Sequence, residues 1–157
     1  MGKFNKEQTR AIERGLEKGL DVRTYADPKF DADQMNEIRV GLEDGLDVSL
    51  YADPKYNEHQ MLVIRIGLEN GVDVTIYADQ QYDAEQMKQI RWGLESDFDV
   101  SSYADSKFDA EQMDQIRQGL EYESCMNPVD ELEEDFLSEH DHPAVQLNKP
   151  TGKGLER

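Results

Sequence analysis

Few residues of this chain have side chains that commonly act in catalysis or metal binding. There is one cysteine, Cys125, and there are three histidines, of which His140 and His142 lie two residues apart. A thiol nucleophile needs a base beside it, and the sequence offers Cys125 no evident histidine partner. Two histidines on one segment are too few ligands for a stable metal site. We therefore predict no catalytic residue, no metal site and no cofactor, and a small hydrolase is the least favoured function.

Negative charge is the chemistry that the sequence supplies in quantity. The chain has 157 residues, with 35 Asp and Glu against 17 Lys and Arg, so its formal charge is −18. Such a surface repels the phosphates of nucleic acids and anionic lipids, which argues against direct nucleic-acid binding and membrane binding. One cysteine and no apolar run at the amino terminus predict a reducing cytoplasm.

The acids recur because the sequence repeats itself with a period of 26 residues. Repetition at a period of this size is typical of solenoids, in which each unit buries its apolar face on its neighbours. We predict a repeat array over residues 1–126, with copies at 4–24, 25–50, 51–76, 77–102 and 103–126.

Each copy carries the start and stop signals of helices. Asp31 and Gln34 have the spacing of a capping box, and Gly45 is the expected stop, so a helix should lie between them. Asp47 can cap a shorter second helix through residues 48–52. The predicted fold class is all-α, and we expect a short right-handed α-solenoid of about five helical hairpins.

A glycine inside each long helix predicts close packing. Glycine at such a position costs about 1 kcal/mol relative to alanine, and the approach of a neighbouring helix or a tyrosine ring would offset that cost. The position recurs in all five copies as Gly15, Gly41, Gly67, Gly93 and Gly119.

The sequence after residue 126 departs from the repeat. Asn127 and Pro128 can start a further helix that is mostly acidic, whereas the residues from His140 onward lack periodicity. We predict an acidic capping helix at 127–139 and a flexible tail at 140–157.

Stacking of the copies would align the repeated acids in columns. Neighbours in a column would lie about 8–10 Å apart if helices pack normally, a scale comparable with the phosphates of a nucleic-acid strand. An acidic ribbon could thus imitate DNA or RNA, although a solubilising surface accounts for the same charge. Arg39 and its equivalents stand four residues before one acidic column and could pair with it. The predicted acidic partner-binding residues are Asp27, Asp53, Asp79, Asp105, Glu43, Glu69, Glu95, Glu121, Glu131, Glu134 and Asp135.

A second predicted contact surface is apolar. Position 40 points away from the buried stripe of its helix, and its equivalents in the next two copies are also apolar. This face could bind a partner protein, form a homodimer or pack within the array. The predicted apolar partner-binding residues are Val40, Leu62, Val63, Ile66 and Trp92.

The segment YADPKFDADQMNEIRVGLEDGLDVSLYA resembles a repeat of proteins encoded by phages and mobile elements of Gram-positive gut bacteria. The resemblance covers residues 4–121 and departs from the pattern at Thr9 and Glu13, where the other copies have Met and Arg. It implies genomic company with anti-CRISPR and anti-restriction genes, and it transfers no catalytic residue.

We therefore predict a non-enzymatic inhibitor in the cytoplasm of a bacterial host. Its partner would be a nucleic-acid-binding nuclease, such as a CRISPR effector or a restriction enzyme, with acidic columns placed where phosphates bind. The alternative is a solenoid adaptor that binds another protein, or a second copy of itself, through the apolar face.

Overall fold

The computed structural model describes residues 2–127 of the chain. Within this range every regular element is helical, and consecutive helices from α1 to α4 pack against one another. The predicted all-α class is confirmed for these residues. The α-helices are α1 Lys6–Glu17, α2 Ala32–Glu43, α3 Glu58–Glu69, α4 Ala84–Glu95 and α5 Ala110–Met126. Four 3₁₀ helices follow α1 to α4, at Val22–Thr24, Val48–Leu50, Val74–Ile76 and Val100–Ser102.

Contacts divide the chain into two compact units, Met1–Gln118 and Gly119–Arg157. The first unit holds α1 to α4 and the first half of α5, and the described part of the second unit is the remainder of α5 with Asn127. The predicted acidic helix beyond Asn127 and the predicted tail at 140–157 lie outside the described residues.

Capping boxes begin all five α-helices of the described range. At α2 the Asp31 carboxylate accepts a hydrogen bond from the Gln34 backbone N–H at 2.8 Å, and the Gln34 side-chain oxygen accepts from the Asp31 N–H at 2.8 Å. Two backbone donors that a helix start leaves without partners are thereby satisfied. The capping box predicted from the sequence is confirmed.

A glycine in the left-handed conformation ends each of the helices α1, α2 and α3. Gly45 has φ +71°, which lets the Leu46 N–H donate back to the Gly41 carbonyl at 2.9 Å. Asp97 takes the same place after α4 with φ +58°. The equivalent residue in the last copy is Glu123, and α5 continues through it to Met126.

The second helix of each copy is shorter than the sequence predicts. The sequence predicts a helix over residues 48–52, but only a 3₁₀ turn at Val48–Leu50 forms, with Asp47 as its cap. Tyr51 leaves helical geometry at φ −138° because its side chain folds back onto the preceding α-helix. A repeat unit is therefore one α-helix followed by a single 3₁₀ turn.

In the first four copies the helix glycine packs against the tyrosine that opens the next copy, as predicted. Tyr51 is fully buried, its hydroxyl donates to the Glu37 carbonyl at 2.9 Å, and a Cβ atom at Gly41 would overlap that hydroxyl. Gly15, Gly67 and Gly93 receive Tyr25, Tyr77 and Tyr103 in the same way. Among the described residues nothing lies within 4 Å of a Cβ atom at Gly119.

A glutamine joins each copy to the next. The Gln34 amide, whose oxygen closes the capping box, donates to the Tyr56 carbonyl of the following copy at 2.6 Å. Buried hydrogen bonds of this kind fix the register of two packed elements, because an unpaired amide would carry a desolvation cost of about 1–3 kcal/mol. The equivalent donors are Gln8, Gln60 and Gln86, and the equivalent acceptors are Phe30, Tyr82 and Phe108.

Candidate partner-binding surfaces

The first predicted acidic set lies in the turns that precede the helices. In each turn the carboxylate accepts a hydrogen bond from the backbone N–H two residues later, as Asp53 does from Lys55 at 2.9 Å. This backbone hydrogen bond is the main cause that lowers the pKa of Asp105, so its carboxylate is charged at neutral pH. We call Asp27, Asp53, Asp79 and Asp105 the aspartate column.

Three members of the aspartate column form ion pairs with lysines, and these ion pairs are weak. Lys55 Nζ lies 3.6 Å from an Asp53 carboxylate oxygen, and the Asp53 side chain is 49% exposed. Ion pairs this open to solvent contribute about 0–1 kcal/mol, so a more strongly basic partner could displace the lysine. Asp79 differs because Gln81 replaces the lysine. The other two pairs are Asp27 with Lys29 and Asp105 with Lys107.

Three members of the predicted glutamate column, which comprises Glu43, Glu69, Glu95 and Glu121, have a different role in the structure. Glu69 pairs with Arg65, whose side chain is only 14% exposed, and Arg65 also donates from Nε to Glu37 at 2.9 Å. Arginines this buried need their counter-charges, because an uncompensated buried charge is strongly destabilising. The glutamates therefore neutralise arginines inside the stack. The equivalent pairs are Glu43 with Arg39 and Glu95 with Arg91.

Within residues 2–127, Arg39 and Arg91 lack a hydrogen-bond acceptor that the equivalent arginines of the alternate copies have. Arg65 and Arg117 donate from Nε to Glu37 and Gln89, residues of the preceding copy, at 2.9 and 3.1 Å. The equivalent preceding residues for Arg39 and Arg91 are Ala11 and Val63, which carry no acceptor. Their Nε atoms are buried and have no partner among the described residues. Sequence reasoning missed this alternation, although the residue types at positions 11, 37, 63 and 89 display it.

The remaining predicted acids lie in the second unit or beyond the described range. Glu121 is an exposed residue of α5. Glu131, Glu134 and Asp135 lie outside the described residues.

The predicted apolar surface is smaller in the structure than in the sequence. Trp92 is 37% exposed, and Val40, Leu62 and Ile66 are half-buried. Val63 is 6% exposed and belongs to the core, so it is not available to a partner. Val63 is buried because it holds the repeat position that faces the next helix. At this position Glu37 and Gln89 accept hydrogen bonds from the arginine of the following copy.

Cations surround the ring of Trp92. Lys88 Nζ lies 5.6 Å and Arg117 Cζ 5.4 Å from the centre of the ring, within the range of cation–π attraction. Lys88 is also paired with Glu85 at 2.9 Å. Arg117 is likewise paired with Asp114, so the cations beside this ring are already neutralised by acids of the same helices.

A third acidic set caps the 3₁₀ turns. Asp47 accepts from the Ser49 N–H at 3.2 Å, and hydrogen bonds from Ser101 lower the pKa of Asp99. The capping role predicted for Asp47 is confirmed, and Asp73 repeats it on Thr75. Charge reversal or truncation at these residues would therefore disturb the fold as well as the surface.

The described residues assemble no group of three or more potential metal-ligating side chains from His, Cys, Asp and Glu. Cys125 is exposed, and His59 lies at the surface with its Nδ1 3.0 Å from Glu58. An open groove of about 410 Å³ lies at the carboxyl ends of α3 and α4. It is lined by Asn70, Gly71, Val72, Leu94, Glu95 and Asp97.

Comparison with known protein families, curated proteins and solved structures finds no match to this chain. In the range 2–127, no helix combines the length and apolar character that crossing a membrane requires.

Proposed function

We propose that this protein is a non-enzymatic inhibitor that binds a basic, nucleic-acid-handling enzyme of a bacterial host, such as a CRISPR effector nuclease or a restriction enzyme. The observation that carries the proposal is the aspartate column, in which every member has the same turn geometry and those paired with lysine are about half exposed. The encounter would take place in the cytoplasm of a bacterial host.

The aspartate column suits phosphate mimicry better than the glutamate column does. Its lysine-paired members are about half exposed, and the ion pairs that they form in the described range are with exposed lysines. A target that normally binds phosphates would offer several fixed cations at once, which favours displacement of single lysines. Glu43, Glu69 and Glu95 already neutralise buried arginines, so we assign them to the fold.

The proposed architecture extends the observed packing of consecutive helices. We take the copies to form a short right-handed α-solenoid in which the aspartates recur at each step, so that separated charges are presented at regular intervals. An acidic helix at 127–139 would follow this array and add Glu131, Glu134 and Asp135 to the negative surface.

A pull-down from host lysate tests the proposal and would identify the target. The protein is immobilised, host proteins are bound at low salt, and retained proteins are eluted with salt and identified by mass spectrometry. We expect a nuclease that elutes between about 0.1 and 1 M salt, where screening weakens exposed charge pairs, and that is displaced by DNA or guide RNA. Retention of no nucleic-acid-binding protein would contradict the proposal.

Two matched sets of variants separate mimicry from general charge. The test variant changes Asp27, Asp53 and Asp105 to Asn, which keeps the side-chain acceptor of each turn. The control changes Asp31, Asp83 and Asp109 to Asn, and Asn5 and Asn57 already serve as caps at equivalent positions. Both sets remove three negative charges while preserving local hydrogen bonds. Mimicry requires the first set to lose target affinity at least about tenfold more than the second; equal losses would contradict it.

The second candidate function is a protein–protein adaptor, and the exposure of Trp92 favours it. An exposed tryptophan, at the repeat position that Val40 and Ile66 hold in the two preceding copies, resembles the centre of a binding surface, where Trp is enriched. A partner bound this way would persist at high salt and be lost with Trp92→Ala or Ile66→Asp, whereas the aspartate variants would bind normally. The same pull-down thus distinguishes the two candidates.

A further inference from the structure

The two ends of the repeat array carry matching halves of the interface that joins its copies. Inside the chain, the glutamine of one helix donates to the backbone carbonyl of the aromatic residue that precedes the next helix, as Gln86 does to Phe108 at 2.7 Å. At the carboxyl end Gln112 is exposed, and its amide nitrogen has no acceptor within residues 2–127. At the amino end Phe4 holds the aromatic position and is 36% exposed, against 5% for Phe30.

The side chains beside these two residues are also complementary. Gln115 holds the position from which Gln89 accepts a hydrogen bond from Arg117 of the next copy. Glu13 holds the position of that arginine in the first copy. Donor and acceptor are exchanged relative to the internal pair, so the Gln115 amide would donate and the Glu13 carboxylate would accept.

The charges of the two ends have opposite signs. Residues 1–24 carry a net charge of +2, and residues 103–128 carry −4. Both Gln112 and Gln115 are exposed, as are Thr9 and Glu13 on α1. Approach of the amino end of one molecule to the carboxyl end of another is therefore electrostatically favourable, whereas approach of two like ends is not.

We propose that copies of this chain associate head to tail, with α1 of one molecule stacked on α5 of another as α2 stacks on α1 within the chain. Gln112 would donate to the Phe4 carbonyl, and Gln115 would donate to Glu13. This contact is heterologous and leaves a free half-interface at each end, so it propagates instead of closing as a dimer. Thr9 in place of the buried methionine of other copies removes apolar contact area, which makes the association weak and dependent on concentration.

Sedimentation velocity of the full chain tests this proposal. We expect the average mass to rise beyond that of a dimer as concentration increases from about micromolar to about millimolar at low salt, and to fall at about 1 M salt. Gln112→Glu keeps the capping oxygen but removes the amide donor, and it should weaken association at least about tenfold. Gln80→Glu, an exposed loop position, is the control with the same change in charge.

Mixing two defective variants distinguishes this arrangement from a symmetric dimer. Phe4→Ala damages only the head and Gln112→Glu only the tail, so each should be monomeric alone, while an equimolar mixture should form dimers that grow no further. If Phe4→Ala loses helicity by circular dichroism, Glu13→Ala serves as the head variant, because an alanine side chain can neither accept a hydrogen bond from Gln115 nor donate one to it.

A gain of function completes the test. Thr9→Met with Glu13→Arg restores the residue types of the internal copies and should strengthen association at least about tenfold. The proposal is overturned if the native chain stays monomeric at every concentration. It is equally overturned if the chain forms a dimer that ignores Gln112→Glu and disappears with Trp92→Ala.

Discussion

Substitution of alanine for Gly41 should destabilise the protein, although alanine is the better helix former. A Cβ atom at Gly41 would lie 2.8 Å from Val48 Cγ1 and would overlap the Tyr51 hydroxyl, which donates to the Glu37 carbonyl. Displacing the ring costs about 1–3 kcal/mol for overpacking and about 0.5–1.5 kcal/mol for the hydrogen bond. The helix propensity of alanine returns about 1 kcal/mol. The net loss should therefore be about 0.5–3.5 kcal/mol.

Gly119→Ala provides a matched comparison at the equivalent position of α5. No described atom lies within 4 Å of a Cβ atom there, so only the propensity gain of about 1 kcal/mol remains. The same substitution should thus change stability with opposite signs at the two sites. The difference between the variants should be about 1.5–4.5 kcal/mol.

Urea denaturation followed by circular dichroism measures both variants. The free energy of unfolding is obtained by linear extrapolation, and an unchanged m value shows that the same surface is exposed in each case. Tyr51→Phe combined with Gly41→Ala should recover part of the loss, because it removes the hydroxyl that the new methyl group meets. Stabilisation by Gly41→Ala, or equal effects at Gly41 and Gly119, would refute the packing argument.

Three further predictions follow from single residues. Ala11→Gln should give Arg39 Nε the acceptor that it lacks and stabilise the protein by about 1 kcal/mol in urea denaturation, whereas Ala11→Leu, of similar size, should not. Asp97→Gly should raise the free energy of unfolding by about 0.5–1 kcal/mol by relieving the left-handed backbone, with Asp97→Asn intermediate; no change would show that the aspartate is unstrained. Burial raises the pKa of Tyr103 from 10.0 to about 12, so the folded state keeps this proton where the unfolded state has lost it. The contribution of this proton to the free energy of unfolding is complete below pH 10 and is lost as the pH rises towards 12. Tyr103→Phe should therefore reduce the fall in the free energy of unfolding between these pH values, as measured by urea denaturation. An unaltered dependence of stability on pH would contradict the assignment.

The starts and stops of the helices could be read from the sequence. The capping box of Asp31 with Gln34 spans three residues, and the Gly45 stop depends on a positive φ that glycine adopts without strain. Such signals involve neighbours in the chain, so their partners are known before any tertiary contact forms. The close packing at Gly41 was also predictable, because an unfavourable glycine recurred in phase with tyrosines.

The second helix of the unit was predicted too long for a reason that local signals do not contain. Asp47 provides the expected cap, but the turn ends after Leu50 because the Tyr51 side chain is drawn onto α2. Tyr51 forms its hydrogen bond with the Glu37 carbonyl, 14 residues earlier. A second helix of at most two turns would be only marginally stable by itself, so this tertiary contact is favoured over its extension.

The roles of the acids and of Val63 were decided only by the tertiary structure. In the sequence, the aspartate and glutamate columns have the same period and the same charge, and Val63 looks like part of an apolar surface. Stacking places Arg65 beside Glu37, which lies 28 residues earlier, and buries Val63 at the equivalent contact. The sequence by itself thus determined where the α-helices begin, where a glycine stop ends them and that they repeat. The side of each helix that meets its neighbour, and hence which acids neutralise arginines and which face solvent, depends on contacts a full repeat away.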